Sequence, residues 1–102
     1  MDKLIKGTTP TIKYTFASIP VSDITEAILT IVDGAVTLQK DITTAIVTQK
    51  TIGWTLSQAE TLAFKSATIV IRLNWLANDG TRGASERATV LIESNELNEV
   101  IE

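Results

Sequence analysis

At 102 residues the chain has room for one domain and one hydrophobic core, which argues against a multidomain protein. Hydrophobic residues make up 44% of the sequence and charged residues 21%, an ordinary globular composition that argues against a disordered chain. The formal charge of −3, with nine lysines and arginines scattered along the chain, argues against nucleic acid as a partner.

Two residue types are missing from the sequence. There is no cysteine, which excludes disulfides, thiolate zinc sites and thiol catalysis. There is also no histidine, the commonest general base and metal ligand. The acidic residues fall in predicted turns, at strand ends or near the C-terminus, where solvation and turn geometry explain them. We therefore expect a protein that is not an enzyme and that uses neither a metal nor a cofactor.

The hydropathy pattern does not indicate a membrane segment. No apolar run approaches the roughly 20 residues needed to cross a bilayer. Residues 1–7 lack the long apolar segment of a secretory signal. We expect synthesis in a cytoplasm, no signal peptide and no membrane partner.

The first strands are predicted from alternating hydrophobicity. Residues 11–17 alternate strictly, whereas residues 26–33 are apolar on both faces, which indicates a central strand. Asp33-Gly34 predicts a hairpin turn, because such turns need positive φ, and residues 36–42 form the returning strand. The side chains expected to point inward are Ile12, Tyr14, Phe16, Val36, Leu38 and Ile42.

Two short strands and one helix come next. Residues 45–49 and 51–56 are predicted strands, and the second places three apolar side chains on one face. Ser57 and Glu60 have the spacing of a capping box, which predicts a short helix near residues 57–64. The three apolar side chains are Ile52, Trp54 and Leu56.

A long hairpin is predicted at the end of the fold. Residues 67–77 form the longest predicted strand, with Arg72 and Asn74 on its polar face. Residues 78–80 supply a turn, and residues 85–92 form the returning strand. Of that strand, Ala88, Val90 and Ile92 are expected to face one way.

These elements favour an all-β fold. About seven strands, turn signals at regular intervals and one short helix are typical of an antiparallel two-layer β-sandwich of the immunoglobulin-like kind. A small barrel is the alternative, since spacing alone does not decide closure. We expect residues 1–102 to form a single domain, with residues 93–102 as a docking arm.

The two tryptophans are the candidate aromatic contacts. Trp54 and Trp75 both fall on the apolar face of their strands, so core filling is the simpler interpretation. The alternative places one of them on an exposed sheet face, as a contact for a sugar or for a partner protein.

The C-terminal segment combines regular charge with regular hydrophobicity. Glutamates recur every third residue from 93 to 102, and Leu97, Val100 and Ile101 form an apolar i, i+3, i+4 set. The segment is predicted as either a short amphipathic helix or a final strand. It docks either on its own domain or on another copy or protein, and in the second case these three side chains are the docking residues.

Four pieces of the sequence, in this order along the chain, carry a family resemblance. They are Lys6-Gly7-Thr8-Thr9-Pro10-Thr11; Leu56-Ser57-Gln58-Ala59-Glu60-Thr61-Leu62 with Phe64; Asn74-Trp75 followed by Asp79-Gly80-Thr81-Arg82 and Ala84-Ser85; and Glu96-Leu97-Asn98-Glu99-Val100-Ile101-Glu102. Together they resemble a family of structural proteins of about this length from phages and prophages of Firmicutes. The family is associated with tails and baseplates and is similar to the amino-terminal domain of baseplate upper proteins.

The resemblance implies a non-enzymatic tail or baseplate component that acts by protein–protein assembly. It carries over no catalytic residue. The expected partners are other virion or tail proteins or copies of the chain itself in a homo-oligomer, and the expected location is the virion. The alternative from another functional class is a carbohydrate- or cell-surface-binding β-sandwich module that uses Trp54 or Trp75.

Overall fold

The computed structural model describes residues 3–17, 19–85 and 87–93. Within these residues the chain forms nine strands, one α-helix and two 3-10 helices, Val21–Asp23 and Ile42–Thr44. The strands are β1 (Lys3–Ile5), β2 (Thr11–Thr15), β3 (Ile24–Asp33), β4 (Val36–Asp41), β5 (Ile46–Val47), β6 (Thr51–Thr55), β7 (Thr68–Ala77), β8 (Arg82–Ala84) and β9 (Ala88–Glu93), and the helix is α1 (Gln58–Leu62).

The strands form two sheets that pack face to face. The large sheet has the order β1-β9-β7-β3-β4, with β8 also paired to β7, and the small sheet has the order β2-β6-β5. The predicted all-β sandwich is therefore confirmed.

Alternation along the strands builds the core between the sheets. The inward residues of β3 and β7 are buried, and so are those that β6 presents from the small sheet. The strongly buried residues of these three strands are Ala27, Leu29, Ile31, Ile69, Ile71, Leu73, Ile52 and Trp54, with Leu56 following β6. The inward faces predicted for these strands are confirmed. Strand β3 is central, as predicted, because β7 and β4 pair on either side of it.

The first hairpin forms as predicted, but its turn lies one residue later. Asp33 pairs with Val36, so Gly34 and Ala35 are the two turn residues. Gly34 has a φ of +60° and no described non-glycine residue has positive φ, which matches a turn that needs positive φ only at its first central position. Asp33 is thereby left at the end of β3, where its side chain takes another role.

The structure has more strands than the seven predicted. Strand β1 was not predicted, because three residues are too few to show alternation; it pairs parallel to β9, the one exception to the antiparallel pairing among the described strands. The returning strand predicted at residues 85–92 corresponds to β9, and β8 is a separate short strand that precedes it. The break between the two lies at Ser85, whose hydroxyl accepts a hydrogen bond from the backbone N–H of Leu73.

The helix and its cap agree with the prediction. The Ser57 hydroxyl accepts from the backbone N–H of Glu60 at 3.1 Å, and the Glu60 carboxylate accepts from the N–H of Ser57 at 2.8 Å. This reciprocal pair satisfies two donors that the first turn of a helix leaves open. Behind the helix, Phe64 is buried in the core. The short helix thus begins at its cap and joins the small sheet to the large one.

Candidate assembly surfaces

Trp54 lies in the core and offers no surface contact. Its side chain is 1% exposed, and its indole N–H donates to the carbonyl oxygen of Asp41 at 2.8 Å. This bond ties the small sheet to the end of β4. Because the ring is enclosed, the sugar or partner contact considered for Trp54 is wrong, and core filling is confirmed.

Trp75 is half-buried near the other end of the sandwich. Its ring meets Phe16 edge to face, with ring centroids 5.3 Å apart. A Cβ on Gly83 would come within 2.3 Å of the indole, so the ring packs directly on the backbone of β8. The indole N–H is buried and has no acceptor among the described residues. Trp75 therefore mainly packs the end of the sandwich, although part of its surface remains accessible.

The predicted docking residues of the C-terminal segment, Leu97, Val100 and Ile101, lie outside the described residues. Only the point from which the segment departs is described. Strand β9 ends at Glu93, which pairs with Ile5 of β1 at one edge of the large sheet.

The exposed hydrophobic side chains concentrate at the sheet edges. Five large hydrophobic residues are between 39% and 60% exposed: Ile5, Val36, Ile46, Val47 and Leu91. All but Leu91 lie on β1, β4 or β5, which are edge strands, and Leu91 lies on β9 next to β1. Edge strands present unpaired backbone groups, so apolar side chains along them favour pairing with another chain.

The edges differ in how they are protected by charge. Strand β1 carries Lys3, which pairs with Glu93 at 3.2 Å, and β2 carries Lys13 at its centre. Strand β5 has only two residues. Strand β4, by contrast, is uncharged from Val36 to Gln39, and Val36 is the most exposed large hydrophobic residue described, at 60%. The charges that normally discourage edge pairing are absent from this stretch.

An apolar cleft lies beside β4, between its inward face and α1. Its volume is about 170 Å³, and it is lined by Ile31, Asp33, Val36, Leu38, Glu60, Ala63 and Phe64. Val36 was predicted to point inward, and it does so along with Leu38, but the small sheet does not cover it. The cleft therefore lies where the large sheet extends beyond the small sheet that packs on it.

Two carboxylates at the cleft are fixed by hydrogen bonds. Burial acts to raise the pKa of Glu60, but its bonds with Lys40 and Ser57 and the charge of Lys40 outweigh burial and hold that pKa below its usual range. The Lys40 ammonium lies 2.8 Å from the Glu60 carboxylate. A side-chain hydrogen bond from Ser66 lowers the pKa of Asp33, helped by the backbone N–H groups of Lys65 and Ser66 and opposed by partial burial. Both groups are structural anions that shape the rim.

The described residues contain no cluster of three or more acidic, histidine or cysteine side chains that would hold a metal ion. No helix in the described part is long and apolar enough to cross a membrane.

Comparison with protein-family models, with curated proteins and with solved structures finds no significant match for this chain. The edge residues Ile46 and Val47 were recognised in sequence as strand residues but not as exposed ones. The signal that was available at β4 is its uncharged run from Gly34 to Gln39.

Proposed function

We propose that this chain is a non-enzymatic structural protein of a phage or prophage, a tail or baseplate component that acts by protein–protein assembly. The observation that carries the proposal is the position of the exposed hydrophobic side chains. Three edge strands bear four of the five that are described, and the fifth adjoins one of those strands. Exposed apolar edges make a monomer prone to aggregate, whereas in a subunit the same edges bind a neighbouring chain.

The sequence resemblance supplies the class of particle. Its motifs follow the order of the fold: the first leads into β2, the second covers the capping box and α1, and the third covers the β7–β8 turn. None of these three segments brings catalytic groups together; they form the approach to a strand, a capped helix and a turn. The resemblance and the edge chemistry thus support the same kind of role, with other tail proteins or copies of the chain as partners.

The proposal is tested on purified particles. Phage particles from a host strain that carries this gene would be separated from soluble lysate by density-gradient centrifugation and analysed by quantitative mass spectrometry. We expect the chain in the particle fraction, at a fixed ratio to known tail proteins across preparations. Recovery from the soluble fraction alone would contradict a structural role. An abundant host cytoplasmic protein serves as the control for contamination.

A further inference from the structure

The free edge of β4 presents unpaired backbone groups. In an antiparallel hairpin, the residue pairs alternate between hydrogen-bonded and non-bonded, and the pair that closes a two-residue turn is bonded. Asp33–Val36 closes the turn, so Val36, Leu38 and Lys40 bond to β3. The N–H and C=O groups of Thr37 and Gln39 consequently point away from β3, toward the open edge.

We propose that β4 pairs antiparallel with β4 of a second copy, about a two-fold axis at Leu38, so that two large sheets join into one. This inference rests on the assembly function proposed above and names one of its contacts. A second copy fits because the edge is self-complementary. The edge is uncharged from Val36 to Gln39 around the proposed axis, and the outward N–H and C=O groups of one copy are spaced to meet those of the other.

The register follows from the groups on the strand. With the axis at Leu38, Thr37 faces Gln39 of the second copy, and each outward N–H and C=O gains a partner. An axis at Thr37 would instead place Gln39 opposite Ala35 of the second copy, a turn residue that lies outside β4, so the outward groups of Gln39 would lose their strand partner. An axis at Gln39 would require the carbonyl of Asp41, which already accepts from Trp54.

The inward side chains add an apolar contact to the strand pairing. The two Leu38 side chains face each other as a non-bonded pair, the arrangement in which opposite side chains are closest. Val36 faces Lys40 of the second copy, whose aliphatic stem covers it. The cleft beside Val36 and Phe64 is then closed by the second copy rather than left open to water.

The size of the contact sets its strength. A single strand pair buries less surface than the roughly 1,200 Å² at the low end of stable interfaces. The isolated dimer is therefore weak and depends on concentration, and it becomes permanent only when other contacts of a particle hold the copies together.

The first experiment measures weight-average mass by sedimentation equilibrium over a wide range of protein concentration. We expect the mass of the natural chain to rise with concentration to that of a dimer and, at the highest concentrations, beyond it through contacts of the C-terminal segment. Val36→Lys puts two lysines opposite each other in this register and should hold the mass at that of the monomer over the range in which the natural chain dimerises. Val47→Lys is the matched control, because Val47 is 50% exposed on the β5 edge; it should dimerise like the natural chain. Circular dichroism verifies that both variants fold.

The second experiment tests the register by crosslinking. The chain has no cysteine, so a single introduced thiol has a clean background. Leu38→Cys places two thiols across a pair whose Cα atoms lie about 4.5 Å apart, within disulfide range. Val36→Cys is the control: it is more exposed, but its two copies would be four residues apart along the strand, roughly 14 Å. Mild oxidation should yield a covalent dimer of Leu38→Cys only.

The outcomes separate this inference from the proposed function. If Val36→Lys dimerises like the natural chain, or if Leu38→Cys gives no more dimer than Val36→Cys, the β4 contact is wrong. If Val47→Lys alone abolishes association, assembly through an edge stands but belongs to β5. A natural chain that stays monomeric at every concentration overturns the β4 contact, whereas the proposed function still depends on the presence of the chain in particles.

Discussion

Asp33 shows how a single carboxylate joins two distant parts of the chain. One carboxylate oxygen accepts the backbone N–H of Lys65 and the other accepts that of Ser66, both at 2.9 Å. The end of the first hairpin is thereby attached to the segment that leads into β7. Hydrogen bonds to an ionised group are stronger than neutral ones, so this attachment depends on the charge of Asp33.

We expect Asp33→Asn to lower the free energy of unfolding at neutral pH by about 2 kcal/mol, because an amide offers one acceptor where two donors need one each. The folded-state pKa of Asp33 lies below its ordinary value of 3.8. Its contribution is therefore fully present above pH 3.8 and is lost as the pH falls through the folded-state pKa. Urea unfolding at several pH values measures this. A difference between the two proteins that stays constant into acid would refute the charge dependence.

At the residue scale, the sequence correctly predicted the burial of side chains whose position follows from adjacent residues in the chain. The alternation around Trp54 placed that ring correctly in the core, because burial of one strand face has a period of two. Asp33 was interpreted as a turn residue because aspartate before glycine usually is one. Its actual partners are more than thirty residues away along the chain, and no local pattern contains them.

Helix α1 is anchored to the start of the chain by a buried threonine. The Thr61 hydroxyl accepts from the backbone N–H of Gly7 at 3.0 Å and donates to the carbonyl oxygen of Thr8 at 2.8 Å. The Thr61 side chain is fully enclosed, and Gly7 is buried as well. The helix is only five residues long, so its position depends on such tertiary bonds rather than on its own stability.

Thr61→Val keeps the shape of the side chain but leaves the Gly7 donor and the Thr8 acceptor without their partner. We expect a loss of about 1–3 kcal/mol in the free energy of unfolding. Thr61→Ser is the control, because it keeps the hydroxyl and removes one methyl, at a cost of roughly 1 kcal/mol. Chemical denaturation of the three proteins measures these losses; a Thr61→Val variant as stable as the natural chain would show that the hydroxyl bonds contribute nothing.

At the element scale, the cap of α1 was predictable, but the tertiary contacts that position α1 and β1 were not. The capping box of Ser57 and Glu60 spans only four residues of sequence, so its spacing could be recognised directly. The bonds of Thr61 and the parallel pairing of β1 with β9 both join the beginning of the chain to distant segments. The interruption between β8 and β9 likewise depends on Ser85 meeting Leu73 across the hairpin.

At the scale of the whole molecule, the sequence predicted the sandwich but not its imbalance. Strand number and alternation were enough for two layers. Strand pairing decides how the strands divide, and here it gives a six-stranded sheet against a three-stranded one. The uncovered margin of the large sheet at β4 follows from that division, and so does the exposure of Val36. The surface proposed for assembly thus arises from topology rather than from any motif.

The large sheet offers different contacts at its two edges. The β4 edge is open to a second copy, whereas residues 94–102 follow Glu93 at the β1 edge. With residues 94–102 acting as the docking arm proposed from the sequence, the two-fold contact proposed at β4 and this second contact would let copies continue beyond a closed dimer. Deleting residues 94–102 should therefore reduce the assembled mass in light scattering to that of the weak dimer, with an unchanged far-ultraviolet spectrum.

The arm's contribution is expected to come from its apolar set rather than its charge. Replacing the three predicted docking residues Leu97, Val100 and Ile101 with serine should lower the assembled mass as much as the deletion does. An apolar arm would bind by burying those side chains, and serine removes that apolar surface. Glutamine at Glu96, Glu99 and Glu102 is the matched control and should leave the assembled mass at least as large as that of the natural chain, since it removes only like-charge repulsion. An unchanged mass distribution after the deletion would leave the sheet edges as the sole proposed route to assembly.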